Sequence, residues 1–264
     1  MNRDMKKSVW TFVLLLLSAY GAYCFYEANQ VGTHSGRVWL HRTNSLEKMR
    51  EKEVRFPNFE VDLVWRDKGV FDVTHDEDTT FNLSLESYLP EVAADRDSVW
   101  LDIKNLTLAN ADTALAVLNQ LCEEYGISKR QLIVESRCEA ALAQFTADSF
   151  YTSFYVDLPR PSGLDADEQV TCLDSLQRVV NRNKVRALSF PVYWYQEIAD
   201  NIEGPIDFLT WANHTPEYGL YADLYFKEIL NDERVKVILV NRKGNTIGKP
   251  FIVFSFRQSI KRRR

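Results

Sequence analysis

Between residues 37 and 257, short apolar runs alternate with longer segments whose apolar positions recur every three or four residues. The runs are Val38–His41, Phe59–Val64, Val99–Ile103, Gln131–Glu135, Phe150–Val156, Ala187–Phe190, Ile206–Trp211 and Val235–Val240, eight in all. Their length and their β-branched and aromatic content predict strands. Helical spacing marks Ser45–Arg55, Ser84–Ala94, Ala109–Tyr125, Glu139–Phe145, Ala166–Asn181, Tyr195–Asn201 and Tyr221–Asn231, as in Leu115-Leu118-Leu121-Cys122 and Leu173-Leu176-Val179-Val180. Such alternation predicts parallel strands joined by crossover helices, and eight repeats favour a single closed (β/α)8 TIM barrel over an open doubly wound sheet. Phe251–Phe256 reads as a ninth, peripheral strand or as an extended segment in place of the last helix.

The amino-terminal pattern is different. Val9–Tyr26 is an uncharged apolar run behind Arg3, Lys6 and Lys7, which predicts a membrane anchor or signal segment over residues 1–27 with the barrel outside the cytoplasm. Ala19-Tyr20-Gly21 offers a small-x-small cleavage site, so a secreted form is the alternative. Tyr23 is too bulky to precede a lipidated Cys24. Residues 28–36 then read as a linker, 37–257 as the barrel and 258–264 as a basic tail. A net charge of −5 without a long basic stripe argues against nucleic acid as a partner. Cys122, Cys138 and Cys172 give no disulfide framework, although a Cys122–Cys138 bridge is compatible with an oxidising compartment, and no zinc spacing occurs.

Chemistry concentrates in Arg37–Asn105. Glu60 and Asp62 are two apart on one strand, so both carboxylates share a face. Side-by-side carboxylates repel one another and resist burial, which an oxygen-liganded divalent cation relieves. A lone E-x-D is ordinarily a solvated strand face, but here His41 and His75, two of four histidines, each close a neighbouring β-like run. Histidines titrating near neutral pH suit general acid and base roles. Asp102 and Lys104 repeat the two-residue spacing on the third strand, and Asp102 completes a three-carboxylate set. Oxygen-only ligands select Mg2+ or Ca2+, while Lys104 and Arg42 supply positive charge for an anionic group such as phosphate. A barrel gathers these strand ends at one mouth.

These residues resemble the glycerophosphodiester phosphodiesterase-like superfamily of TIM barrels. The family's H-R or H-x-x-N start is similar to His41-Arg42-Thr43-Asn44, its E-x-D to Glu60-Val61-Asp62, its next histidine to His75, and its third-strand acid and lysine to Asp102 and Lys104. The resemblance implies one divalent cation on Glu60, Asp62 and Asp102, with His41 and His75 as the acid–base pair. Thr43 stands where bacterial members usually carry Gly, and Asp102 where they carry Glu, as in the spider-venom sphingomyelinase D and phospholipase D-type branch. The H-x-x-N-S start with L-D-x-K also resembles the menorin-like branch. No capping insertion follows His75. On the seventh strand Trp211 and Asn213 are similar to a late aromatic–Asn ending that lines the mouth, and with Arg42, Asn44 and Lys104 they complete the expected substrate-binding set. Glu135 and an aromatic rim at Tyr193-Trp194-Tyr195 are further candidates.

The expectation is a membrane-anchored, metal-dependent phosphodiesterase acting on a glycerophosphodiester or lysophospholipid head group, with a hydrolytic or a cyclic phosphate product. The rival reading is a catalytically weak, menorin-like binding or scaffold protein that keeps the barrel. Hydrolysis of a sugar or acyl ester would leave Lys104 and Arg42 without an anion to meet.

Overall fold

The computed structural model describes residues 3–31, 36–50, 57–216 and 229–241. Eight parallel strands form the wall: β1 Val38–Leu40, β2 Phe59–Arg66, β4 Val99–Ile103, β5 Leu132–Ser136, β6 Tyr151–Tyr155, β7 Ala187–Pro191, β8 Asp207–Pro216 and β9 Val235–Asn241. Their order β1-β9-β8-β7-β6-β5-β4-β2 closes on itself where Leu40 of β1 meets Phe59 of β2. This is the predicted (β/α)8 barrel, strand for strand. The extra strand, β3 Val70–Val73, folds back antiparallel on β2 and carries the chain to His75. Gly69, at φ +76°, makes the left-handed turn between them.

The described helices follow the predicted rhythm: α2 Leu46–Arg50, α3 Leu89–Asp95, α4 Leu108–Tyr125, α5 Glu139–Ala147, α6 Ala166–Arg182 and α7 Tyr195–Asn201. A capping box opens α6, where Asp165 accepts from the Glu168 backbone N–H and Glu168 accepts from that of Asp165, both at 2.9 Å. The inward face of α4 is Ala111, Ala114, Leu118 and Cys122, rotated from the predicted Leu115–Leu121 stripe. Two alanines let the helix approach the wall closely, and Leu115 and Leu121 cover the flanks. The predicted helix at 221–231, the segment at 251–256 and the basic tail fall largely or wholly outside the described residues.

Helix α1, Arg3–Val31, runs past the expected anchor and into the expected linker. Its described apolar side chains other than Val13 are exposed, Trp10 by 67%. Among the described residues, however, no helix is long and apolar enough to cross a membrane, so the expected spanning anchor is not supported. Cys122, Cys138 and Cys172 are free thiols, and the admissible Cys122–Cys138 bridge does not form.

Strand parity divides the core. Outward-facing residues such as Phe59, Val61, Leu101, Val134 and Leu188 pack beneath the helices. Inward-facing Trp39, Trp100, Ile133, Ala187, Leu209, Trp211, Val237 and Leu239 fill the barrel. Two residues further along, the same inward face carries His41 on β1, Asp102 on β4 and Glu135 on β5. The apolar plug thus supports a polar mouth at the carboxyl ends of the strands.

Candidate functional site

The mouth is a cavity of about 410 Å³ lined by His41, Arg42, Glu60, Asp62, His75, Asp102, Lys104, Glu135 and Arg137 among others. In-register pairing sets Asp62 beside Asp102, and Asp102 beside Glu135. Ligand oxygens of Glu60, Asp62 and Asp102 all lie within 4.8 Å of one another, as the two-residue spacing predicted. Glu60 and Asp62 are 2% and 1% exposed, which excludes the solvated-face reading.

Each carboxylate is held differently. Glu60 accepts the Arg42 backbone N–H at 2.6 Å through Oε2, while its buried Oε1 has no hydrogen-bond partner among the described residues. Asp62 accepts from Asn44 Nδ2 at 2.7 Å, and its own backbone N–H donates back to Asn44 Oδ1 at 3.0 Å. Lys104 bridges Asp62 and Asp102 through Nζ. Asn44 and Lys104 are therefore committed to the carboxylates. Three carboxylates face one ammonium, and one buried oxygen of Glu60 is left unsatisfied. That donor set fits a hard divalent cation.

The electrostatics follow from burial and neighbours. Burial, then the Asp62 charge, raises Glu60 well above the usual carboxylate range. At Asp102, burial and Asp62 outweigh Lys104, and its pKa is also raised. Burial pushes Asp62 the same way, but Lys104 and Asn44 outweigh it and hold it low. Burial also opposes charge on Lys104, yet Asp102, Asp62 and Glu60 together raise its pKa. Glu135 is raised well above the ordinary value by burial and then by Asp102.

His41 is 8% exposed, and burial followed by the Arg42 charge pushes its pKa down to about 3. It is neutral at physiological pH and can accept a proton, with Nε2 lying 3.7 Å from Glu60 Oε2. His75 is oriented from both sides: Nδ1 lies 2.6 Å from Asp76 Oδ1, and Nε2 lies 3.2 Å from an Arg42 guanidinium nitrogen. Because a guanidinium only donates, Nε2 accepts and Nδ1–H donates to Asp76. Arg42 reaches His75 from a left-handed backbone at φ +53°, a conformation costing a non-glycine residue about 1–2 kcal/mol. Lys48 Nζ holds this turn by donating to the carbonyls of His41 at 2.6 Å and Arg42 at 2.7 Å. Strain of this kind gathers at functional sites.

Trp211 is buried and lines the mouth, while Asn213 lies on β8 with its side chain outside the described residues. The proposed aromatic rim does not hold at its centre. Trp194 is fully buried and donates Nε1–H to the Pro159 carbonyl at 3.0 Å, so it packs the fold. Lys48, Arg137 and Tyr155 escaped the sequence reading. Arg137 was within reach of it, because Glu135-x-Arg137 repeats the spacing of Asp102-x-Lys104 one residue beyond the strand end.

No protein-family model and no curated protein matches the chain. Among solved structures, a phosphodiesterase of Oleispira antarctica, determined with the product sn-glycerol-3-phosphate, superposes with a TM-score of 0.51 at 12% identity, over 78% of this chain and 92% of that one. An Agrobacterium tumefaciens protein assigned as a glycerophosphoryl diester phosphodiesterase gives 0.50 at 16%, over 77% and 92%. The chain shares its (β/α)8 barrel fold with these phosphodiesterases. At such identity the likeness concerns the fold, and the chemistry rests on the residues above.

The buried charges make stability depend on pH. A carboxyl whose pKa is raised by folding binds more protons folded than unfolded, so Glu60, Asp102 and Glu135 lose stability as pH rises from the ordinary carboxylate range through their raised values. His41, lowered to about 3, has the opposite sign, and its contribution is complete above its ordinary value of about 6.5. In chelator, the melting temperature should therefore fall as pH rises above about 6.5, where His41 no longer offsets the carboxyls, and Mg2+ or Ca2+ should restore it more at the higher pH. A profile that is flat and indifferent to metal would contradict the carboxylate cluster as described.

Proposed function

We propose that this chain is a metal-dependent phosphodiesterase that cleaves a glycerophosphodiester or lysophospholipid-type phosphodiester by two-histidine acid–base chemistry. The observation that carries the reading is the convergence of Glu60, Asp62 and Asp102 at one mouth with His41, His75 and Arg42. The three carboxylates would hold one Mg2+ or Ca2+, which when bound supplies Lewis-acid polarisation of a phosphoryl oxygen. His41, kept neutral by burial, takes the proton of the nucleophile, either water or a neighbouring substrate hydroxyl. Glu60 then faces the imidazolium that forms. His75, once Arg42 has turned to the phosphate and Nε2 has taken up a proton, donates that proton to the leaving alkoxide while its Nδ1–H stays on Asp76. Arg42 draws the phosphate towards both. Asp102 at the third-strand acid position is similar to the venom-type pattern, under which a cyclic phosphate is an admissible product.

One observation favours the scaffold alternative. Lys104 neutralises two of the three carboxylates from within the chain, as a metal-free barrel would require. The extracytoplasmic location is part of the proposal and is supported by Arg3, Lys6 and Lys7 preceding the apolar run of α1. The test is a panel of glycerophosphodiesters, lysophospholipids, sugar esters and acyl esters, assayed with purified protein and varied divalent ions. Hydrolysis or cyclisation of phosphodiesters alone supports the proposal. Ester hydrolysis without phosphodiester cleavage, or no turnover with any divalent ion, contradicts it.

A further inference from the structure

Beyond the three carboxylates and two histidines, the mouth has a second chemical character. Asp76, Glu77 and Asp78, which follow β3, line the cavity beside His75. The Arg66 guanidinium fixes their loop by donating to the Glu77 carbonyl at 2.5 Å and to Asp72 at 2.9 Å, and it also donates to the Thr79 carbonyl. That rim repels an anion. Further round the wall, just past β5 and at the end of β6, the lining changes sign to Arg137 and Tyr155, with Trp211 of β8 next to them.

These three side chains form one stack. The Arg137 guanidinium carbon lies 4.7 Å from the Tyr155 ring centroid, and the Tyr155 and Trp211 rings stack at 5.2 Å with planes 27° apart. Between them β7 contributes only the small Ser189 at the level of Tyr155, which leaves room for the rings to meet. A guanidinium and an indole cannot share one face of a ring at these distances, so both faces of Tyr155 are occupied. An aromatic cage for a quaternary ammonium needs open faces and no resident cation, and this wall offers neither. Arg137 pairs with Asp157 at 3.3 Å, with both side chains more than half exposed. Such a pair is weak and readily shared with an incoming anion.

We propose that Arg137, held on Tyr155 and Trp211, is a specificity-determining subsite for an anionic substituent on the arm of the substrate beyond the scissile phosphate. The preferred diesters then carry a carboxylate or a phosphate monoester on that arm, and choline-type diesters are poor substrates. The acidic rim turns that arm away from Asp76–Asp78 and so fixes which way round the diester lies. The inference rests on the phosphodiesterase reading.

Four matched compounds test it: glycerophosphoglycerol, glycerophosphoglycerate, glycerophosphoglycerol phosphate and glycerophosphocholine. Wild-type protein and the Arg137→Glu variant are compared by the ratio of kcat/KM between compounds within each protein, which is insensitive to the active fraction. Binding of the same compounds is measured by calorimetry on the His41→Ala background, with and without the Arg137 change. Wild type should favour the two anionic compounds over glycerophosphocholine by about tenfold, the order of one partly screened ion pair, and Arg137→Glu should bring that ratio below one. The ranking of the carboxylate against the phosphate tells which anion is meant. Turnover without preference, or a preference that survives Arg137→Glu, overturns the subsite and leaves the phosphodiesterase reading intact. Absence of turnover with Arg137-dependent anion binding retained overturns that reading and keeps the subsite.

Discussion

Replacing His41 by alanine is expected to lower kcat/KM for a cleavable glycerophosphodiester by at least about a hundredfold, the lower end of what a positioned general base contributes. The loss should fall on kcat, because His41 is almost fully buried and contributes little to ground-state binding. His75→Ala should cost a similar factor in kcat and also raise KM, because it frees the Arg42 guanidinium that His75 holds at 3.2 Å. Circular dichroism and melting temperature should stay near wild type for His75→Ala, since that ring is about half exposed. Steady-state kinetics on both variants check this. Full activity in either would remove that histidine from the chemistry.

The second large effect concerns the carboxylates. On the proposed metal site, Asp62→Asn removes one carboxylate of the three and also the partner that Asn44 and Lys104 share, so divalent affinity should drop by at least about a hundredfold and activity with it. Asn44→Ala leaves the ligand in place but unsupported, and should cost about ten- to a hundredfold in affinity, the usual effect of an outer hydrogen-bond partner. Titration calorimetry with Mg2+ and Ca2+ reads both. Equal affinities in Asp62→Asn and wild type would move the cation elsewhere or dispense with it.

Much of this was legible in the sequence because barrel and site obey the same two-residue period. Glu60 with Asp62 and Asp102 with Lys104 could be placed on one face without coordinates, and the eight apolar runs became the eight parallel strands. Side-chain commitments were not legible. Asn44 and Lys104 carry the residue types of substrate ligands, yet their hydrogen bonds go to Asp62 and Asp102, which only the meeting of β1, β2 and β4 decides. Trp194 reads as a rim residue by its neighbours, but one hydrogen bond to Pro159 turns it inward. Arg137 was legible in its Glu135-x-Arg137 spacing, but its stacking on Tyr155, one residue past the end of β5, was not. The α4 face shifted because small residues set the depth of packing, which apolar periodicity does not register.

The most direct test of the central claim is the rate of glycerophosphodiester cleavage by wild-type protein stripped of metal and titrated with Mg2+ or Ca2+. The account predicts no turnover in chelator and recovery that saturates with one divalent ion bound per chain, with Asp62→Asn silent throughout at the same ion concentrations. Undiminished turnover in chelator, matched by Asp62→Asn, would contradict it.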